Sequence, residues 1–152
     1  MARPDPERLA LWWGLSTARD QVVGEVAEEL DRECGLLLTW FTVLDRLAAS
    51  GGRLRLHDLA ERAAISPSSL SRLLERLIDD GLVDRVPTPS DGRGAVAVLT
   101  KEGRQRYRDA VPVFRRAVQQ VFARHLTDTD VAALQRVLPK LAPDLRLAGP
   151  DD

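Results

Sequence analysis

One cysteine, Cys34, stands among 152 residues, so no internal disulfide framework can hold the fold. No apolar run approaches the length needed to cross a bilayer, and no signal-like segment opens the chain, so a cytoplasmic location is expected. Histidine is scarce. His57 and His125 lie far apart, without cysteines or a matching carboxylate spacing around them, and no metal site or cofactor is expected. The sequence also lacks G-x-S-x-G, H-E-x-x-H and a G-x-x-x-x-G-K phosphate loop, so it reads as a non-enzyme. Lysine occurs only at 101 and 140, the other basic residues being arginine, and tyrosine only at 107. An excess of positive charge is missing too. The formal net charge is −1, which taken alone argues against a strongly basic nucleic-acid binder.

What is present is a globular composition, 44% hydrophobic and 30% charged, in a chain long enough to bury a core without a staple. From Glu7 to Glu33 the apolar residues repeat at helical spacing, with Val22, Val26 and Leu30 four apart and Leu11, Leu15 and Ala18 extending the stripe. Gly35 is a stop signal. A second helix is expected over Leu36 to Ala49, ending at Gly51-Gly52, and a short one over Leu56 to Ala64. After a sharp break, Ser66 is placed to cap a further helix with Pro67 at its first position, running to about Asp80. The period then changes. Leu82–Val86 and Ala95–Leu99 read as two strands joined by a polar, turn-rich tip, a two-stranded hairpin. Thr100 can cap the next helix, where Tyr107, Val111, Phe114, Val118 and Val121 form a stripe that Pro112 is expected to kink. Thr127 and Asp130 resemble a capping box, and Val131, Leu134, Leu138, Leu141 and Leu145 form a last stripe that Pro139 and Pro143 bend or end.

Helix, tight turn, helix, hairpin describes a mainly α chain built on a winged helix-turn-helix. The second helix of the pair has the surface that major-groove entry requires. Small residues at its start let backbone approach backbone, and Ser66, Pro67, Ser68, Ser69 and Ser71 supply them. Arg72 and Arg76 lie four apart on the outward face, one placed to read guanine and the other to meet a phosphate. Arg93, between two glycines at the hairpin tip, suits a minor groove. Serines and arginines are also ordinary caps and surface. It is their combination with the hairpin that favours DNA.

Leu59-Ala60, the run Ile65 to Leu73, Gly81-Leu82-Val83-Asp84-Arg85, and Asp91-Gly92-Arg93 followed by Val98-Leu99-Thr100 and Gly103 resemble the corresponding parts of MarR-family regulators. The motif-level resemblance spans Thr39 to Arg104. It implies a homodimeric winged helix-turn-helix regulator that binds a pseudo-palindromic operator, usually as a repressor, and in many members releases DNA on binding a small ligand. By position it assigns Ser66 to Arg76 to the major groove, Arg93 to the wing tip, Asp91 to the acid bracing the wing, and Arg85 to a basic residue before it.

On that reading residues 1–35 and 101–147 are dimerisation helices, 36–100 the DNA-binding lobe, and 148–152 a tail. The apolar stripes, with Leu11, Trp12, Leu15, Phe114, Val118, Val121, Leu134, Leu138 and Leu141 as expected interface residues, need a covering surface that a second copy can supply. Trp12, Trp13, Trp40, Phe41, Arg46 and His57 are the expected lining of an effector crevice. Urate-type relatives pair a first-helix Trp with an Asp in the second helix. Phe41 and Thr42 follow Trp40 here, which does not fit that ligand class. Two other readings remain open: a winged-helix module used only for protein contacts, and a redox regulator using Cys34. The second places Cys34 late in the first helix, whereas peroxide-sensing relatives carry theirs early.

Charge is unevenly spread. Residues 53–93 hold seven arginines and seven acids, and 101–124 hold seven bases against two acids. Before Arg46 there are nine acids and four arginines, on the expected dimer helices.

Overall fold

The structure, a computed structural model, describes residues 5–88 and 94–145. Their elements are α1 (Pro6–Cys34), α2 (Leu38–Ala49), β1 (Arg53–Arg55), α3 (Leu56–Arg62), α4 (Pro67–Asp79), β2 (Val83–Pro87), β3 (Ala95–Leu99), α5 (Lys101–Val121), a 3-10 turn (Ala123–His125) and α6 (Asp128–Leu141). The chain divides into two units, one over Leu30–Phe114 and one made of the described residues before and after it.

The Leu30–Phe114 unit is a winged helix. Its core is aliphatic: Leu30, Leu36, Val43, Leu44, Leu47, Leu59, Leu70, Leu77 and Val83 are fully or almost fully buried. The three buried leucines of α4, Leu70, Leu74 and Leu77, recur at the four- and three-residue steps that keep one helical face inward. The sheet has order β1-β3-β2, all antiparallel, with Val83 opposite Leu99, Arg85 opposite Ala97, and Leu54 opposite Ala97 from the other side. The expected two-stranded hairpin is therefore the larger part of a three-stranded sheet. Strand β1 carries only one inward residue, Leu54, and so shows no alternation to read.

The short helix α3 ends at Arg62, two residues before the expected Ala64. Ala64 itself takes a left-handed conformation at φ 53°, where an L side chain is strained by roughly 1–2 kcal/mol. Backbone bonds from Ala63, Ala64 and Ile65 to Leu59, Glu61 and Ala60 hold this turn. Pro112, where a kink is expected, lies inside α5, which runs as one helix from Lys101 to Val121. Proline removes one backbone donor, and the turns on either side carry the helix past it. Likewise α6 includes Pro139 and ends at Leu141.

A close approach joins the end of the helix-turn-helix to the start of α5. Thr100 donates its backbone N–H to Leu82 O (3.1 Å) and its hydroxyl to Gly81 O (2.7 Å), while accepting the Gly103 N–H (2.9 Å). Gly103 is buried there, and a Cβ on it would fall 2.0 Å from the Leu82 carbonyl oxygen. That contact is with backbone, so a side chain cannot be accommodated by a rotamer change.

The second unit is built of most of α1, the end of α5, the 3-10 turn and α6. Its buried hydrophobics among the described residues are Val26 and Ala117, and α6 buries none. Leu11 is 71% exposed, Trp12 61%, Trp13 63% and Leu141 65%. The capping box at the start of α6 is complete: Thr127 Oγ1 accepts from the Asp130 N–H (3.3 Å), and Asp130 Oδ2 accepts from the Thr127 N–H (2.9 Å) and hydroxyl (2.6 Å).

Two outcomes follow from these local geometries. Gly103→Ala is expected to destabilise the protein by about 1–3 kcal/mol through overpacking against backbone. Urea unfolding at fixed protein concentration checks this, and an unchanged midpoint contradicts the close approach. The Asp130 carboxyl is held below its ordinary 3.8 by the Thr127 hydroxyl and then by the Thr127 backbone N–H. Because the folded value is the lower one, its stabilisation is present above the ordinary value and fades as pH falls through the folded value. An NMR titration should show Asp130 titrating low in the parent and moving back toward 3.8 in Thr127→Ala.

Candidate nucleic-acid interface

The solvent face of α4 begins at its cap. Ser66 sits in extended backbone ahead of Pro67, and its Oγ accepts from the Ser69 N–H at 3.2 Å. The Ser66 hydroxyl donates to Ser69 Oγ (2.9 Å) and lies 3.3 Å from Ser68 Oγ. A serine cap followed by proline satisfies one orphan donor and removes another, so the helix starts abruptly after the Ala64 turn.

Ser66, Pro67, Ser68, Ser71, Arg72 and Arg76 are all exposed, on the side opposite Leu70, Leu74 and Leu77. Ser69 departs from the expected outward set. It is half-buried, because its backbone and hydroxyl both serve the cap. Arg72 and Arg76 line one shallow groove of about 260 Å3 with Ser69, Leu73 and the start of α2 at Leu37, Thr39 and Trp40. The two guanidinium groups thus share one side of α4, as their four-residue spacing requires.

Arg85 is exposed on β2. Beyond the last strand pair, Pro87 with Ala95, the Thr88 N–H donates to Gly94 O at 3.0 Å and keeps the two stems together. The expected tip residues Asp91 and Arg93 lie outside the described residues.

The residues expected to line an effector crevice fall in different places. Phe41 is in the core, 4.5 Å from the Phe114 ring and 5.6 Å from that of Tyr107, centroid to centroid. Trp40 is half-exposed and lines a hollow of about 370 Å3 with Gly35, Leu37, Asp80, Leu82 and Arg106. The Arg106 guanidinium also donates to Gly35 O at 3.1 Å. Arg46 is turned toward the end of α3, where its Nε donates to Arg62 O at 3.0 Å. His57 borders two hollows, one against Pro67 and Ser71 of α4, the other against Thr88 and Gly94 of the hairpin. Trp12 and Trp13 are exposed on the other unit. Of the expected interface residues there, Leu11, Leu15 and Leu141 are exposed, and Val118, Val121, Leu134 and Leu138 half-buried. Phe114, the last residue of the winged-helix unit, is half-buried.

Some arrangements were not visible as motifs. His57, Asp58 and Glu61 bring one potential ligand atom each within 4.8 Å of one another on the surface of α3. A carboxylate spacing thus does surround His57, although such groupings are common on exposed helices. Asp45 and Tyr107 are joined by a 2.8 Å hydrogen bond across 62 positions, a pairing that no local pattern announces. Cys34 is half-buried at the last position of α1. No helix among the described residues is long and apolar enough to cross a membrane.

Comparison with known proteins places this geometry. A family model described as MarR family matches residues 35–94, from just before α2 to the residue preceding β3. The HTH-type transcriptional repressor Rv2887 of Mycobacterium tuberculosis is 37% identical over 110 residues, covering 72% of this chain and 78% of that one. Among solved structures, the MarR family transcriptional regulator Sco3205 of Streptomyces coelicolor, crystallised in complex with DNA, superposes with a TM-score of 0.88 at 30% identity. The match covers 97% of this chain and 93% of that one. AbsC from the same organism gives 0.85 at 27% identity, over 94% and 97% of the two chains. With a serine-capped outer helix, an arginine pair on its open face, a three-stranded sheet and these relatives, the chain belongs to the MarR family of transcriptional regulators.

Proposed function

We propose that this regulator acts as a cytoplasmic repressor, binding a pseudo-palindromic DNA operator as a homodimer. The observation that carries the DNA reading is the open face of α4: small residues at its start, then Arg72 and Arg76 on one side, with every large apolar side chain of the helix turned away or half-covered. A backbone-close approach to the major groove needs that profile. Resemblance to a relative crystallised on DNA supports it. In this reading Ser66, Ser68, Ser69, Ser71, Arg72 and Arg76 meet phosphates and base edges, Pro67 keeps the entry tight, and Arg85, Asp91 and Arg93 serve the wing in the adjacent minor groove. Two copies would set their α4 helices about 10 base pairs apart.

The homodimer is supported by the apolar surface that one chain leaves open. Leu11, Trp12 and Trp13 are each more than half exposed, and α6 buries nothing. Contiguous exposed apolar surface of this kind marks an interface. Residues 1–35 and 101–147 would supply it, with 36–100 reading DNA; the expected tail, 148–152, lies outside the described residues. Release by a small effector is the finer part of the proposal. Trp40, with an indole bordering a hollow that also holds Arg106, is the best-placed of the expected crevice residues for an aromatic anion.

The tests are direct. Arg72→Ala and Arg76→Ala should each cost about 1–3 kcal/mol of operator affinity and relax preference at one base position. Arg93→Ala should weaken binding broadly, since a wing arginine reads groove shape and potential. Operator recovered by selection from a random DNA pool, followed by titration of these variants, measures both. Unchanged affinity and preference in Arg72→Ala and Arg76→Ala removes the α4 assignment. Light scattering at micromolar protein should give the mass of two chains, and a monomer there overturns the dimer.

A further inference from the structure

The side chains that read DNA stand on α4, but the turn that aims α4 is held from elsewhere. Helix α3 is only seven residues long and has no capping glycine. Its last carbonyl, at Arg62, accepts from Arg46 Nε of α2 at 3.0 Å. The favour is returned: Arg62 Nη1 donates to Ser50 Oγ (2.9 Å), and Ser50 Oγ donates to the Arg46 carbonyl near the end of α2 (2.9 Å). Each arginine therefore secures the C-terminal end of the other's helix, where backbone acceptors would otherwise lack partners.

Arg46 is itself steered. Its Nη1 meets Asp45 Oδ2 at 2.7 Å, and Asp45 Oδ1 accepts from the Tyr107 hydroxyl of α5 at 2.8 Å. The Tyr107 ring rests against Phe41 in the core, which fixes where the hydroxyl can point. One carboxylate so bridges α5 and the α2 guanidinium by charge-assisted hydrogen bonds, whose geometry is restrictive. None of these three residues lies on the face of α4.

We propose that Tyr107, Asp45 and Arg46 are positioning residues for DNA recognition. They form a polar relay from α5 through α2 that sets the end of α3, and with it the Ala63–Ser66 turn from which α4 departs. The inference rests on the DNA-binding reading above. Its physical content is independent of it: removing the relay leaves the cap and the core leucines in place, but frees the turn where Ala64 is held at positive φ.

The experiment uses the full-length protein with Tyr107→Phe, Arg46→Lys and the double variant. Each substitution removes a hydrogen-bonded link while keeping the ring or the charge. Each single variant should lose about fivefold in affinity for selected operator, the worth of one ordinary hydrogen bond. Affinity for a random duplex and its salt slope should stay unchanged, since no phosphate contact is removed. The double variant should be no weaker than the weaker single one, because the two links act in series. A parallel fall in operator and random-duplex binding, or additive losses, overturns the proposal. A second readout needs no DNA. Amide exchange at Ala63, Ala64 and Ile65, all donors within the turn, should accelerate several-fold in both single variants. If the parent shows no preference for any DNA, the DNA reading fails and this exchange measurement alone decides the relay. Unchanged exchange overturns it.

Discussion

The winged helix is closed by the approach of the α5 backbone to the Leu82 carbonyl, and that approach requires the absence of a side chain at Gly103. Three strands of chain meet there. The end of α4 arrives through Gly81, β3 arrives through Leu99, and α5 departs from Thr100. One threonine, directly following β3, bonds twice to the Gly81-Leu82 segment and caps the helix that follows. Leu77, Leu82, Val83 and Leu99 are buried around this point. The outward half of α4 can be given over to small polar residues because its inward half is anchored at the cap and again here.

The two units have opposite surface logic. In the winged helix most of the large apolar side chains are inside, Leu37 and Val86 excepted, and what faces out on α4 is small, hydroxylated or charged, Glu75 and Asp79 included. In the other unit tryptophan and leucine stand in solvent on α1 and α6. A surface made for DNA must shed water from polar groups it then re-satisfies, whereas a subunit interface gains by removing apolar area from water. The same chain thus separates the two tasks by composition, with acids concentrated before Arg46 and arginines from Arg53 onward.

Much of this was legible locally. The Ser66-Pro67 start of α4, the Thr127–Asp130 box, the Thr100 cap and the paired runs of β2 and β3 all depend on residues within a few positions of one another. What escaped depends on distant partners. Strand β1 exists because β3 offers it an edge, and three residues with one inward leucine carry no period of their own. The positive φ of Ala64 had no glycine to signal it; the compact turn between α3 and the Ser66 cap imposes it. Pro112 lies inside α5, where a kink is expected, and one missing bond in a 21-residue helix does not end it. Phe41 was placed in a ligand crevice on its aromatic character, and its ring is spent on Tyr107 and Phe114 in the core. The Asp45–Tyr107 bond spans 62 residues, and only the packed fold brings its ends together.

The net charge of −1 acquires a different meaning once the residues are placed. A binder with little overall positive charge gains little from counterion release on arbitrary DNA, so its discrimination has to come from fit. On the proposed reading, fit is a matter of how well α4 is aimed, because two arginines reading a groove would lose their contacts if the helix tilted by a fraction of a turn. The groups proposed to aim it are the neutral Ser66 cap and Thr100–Gly103 junction, and the bridged ends of α2 and α3, where Arg46 is paired with Asp45 and Arg62 bonds to the Ser50 hydroxyl. They add little to long-range attraction. In a nearly neutral regulator, specificity would on this proposal reside as much in these joints as in the cations they present.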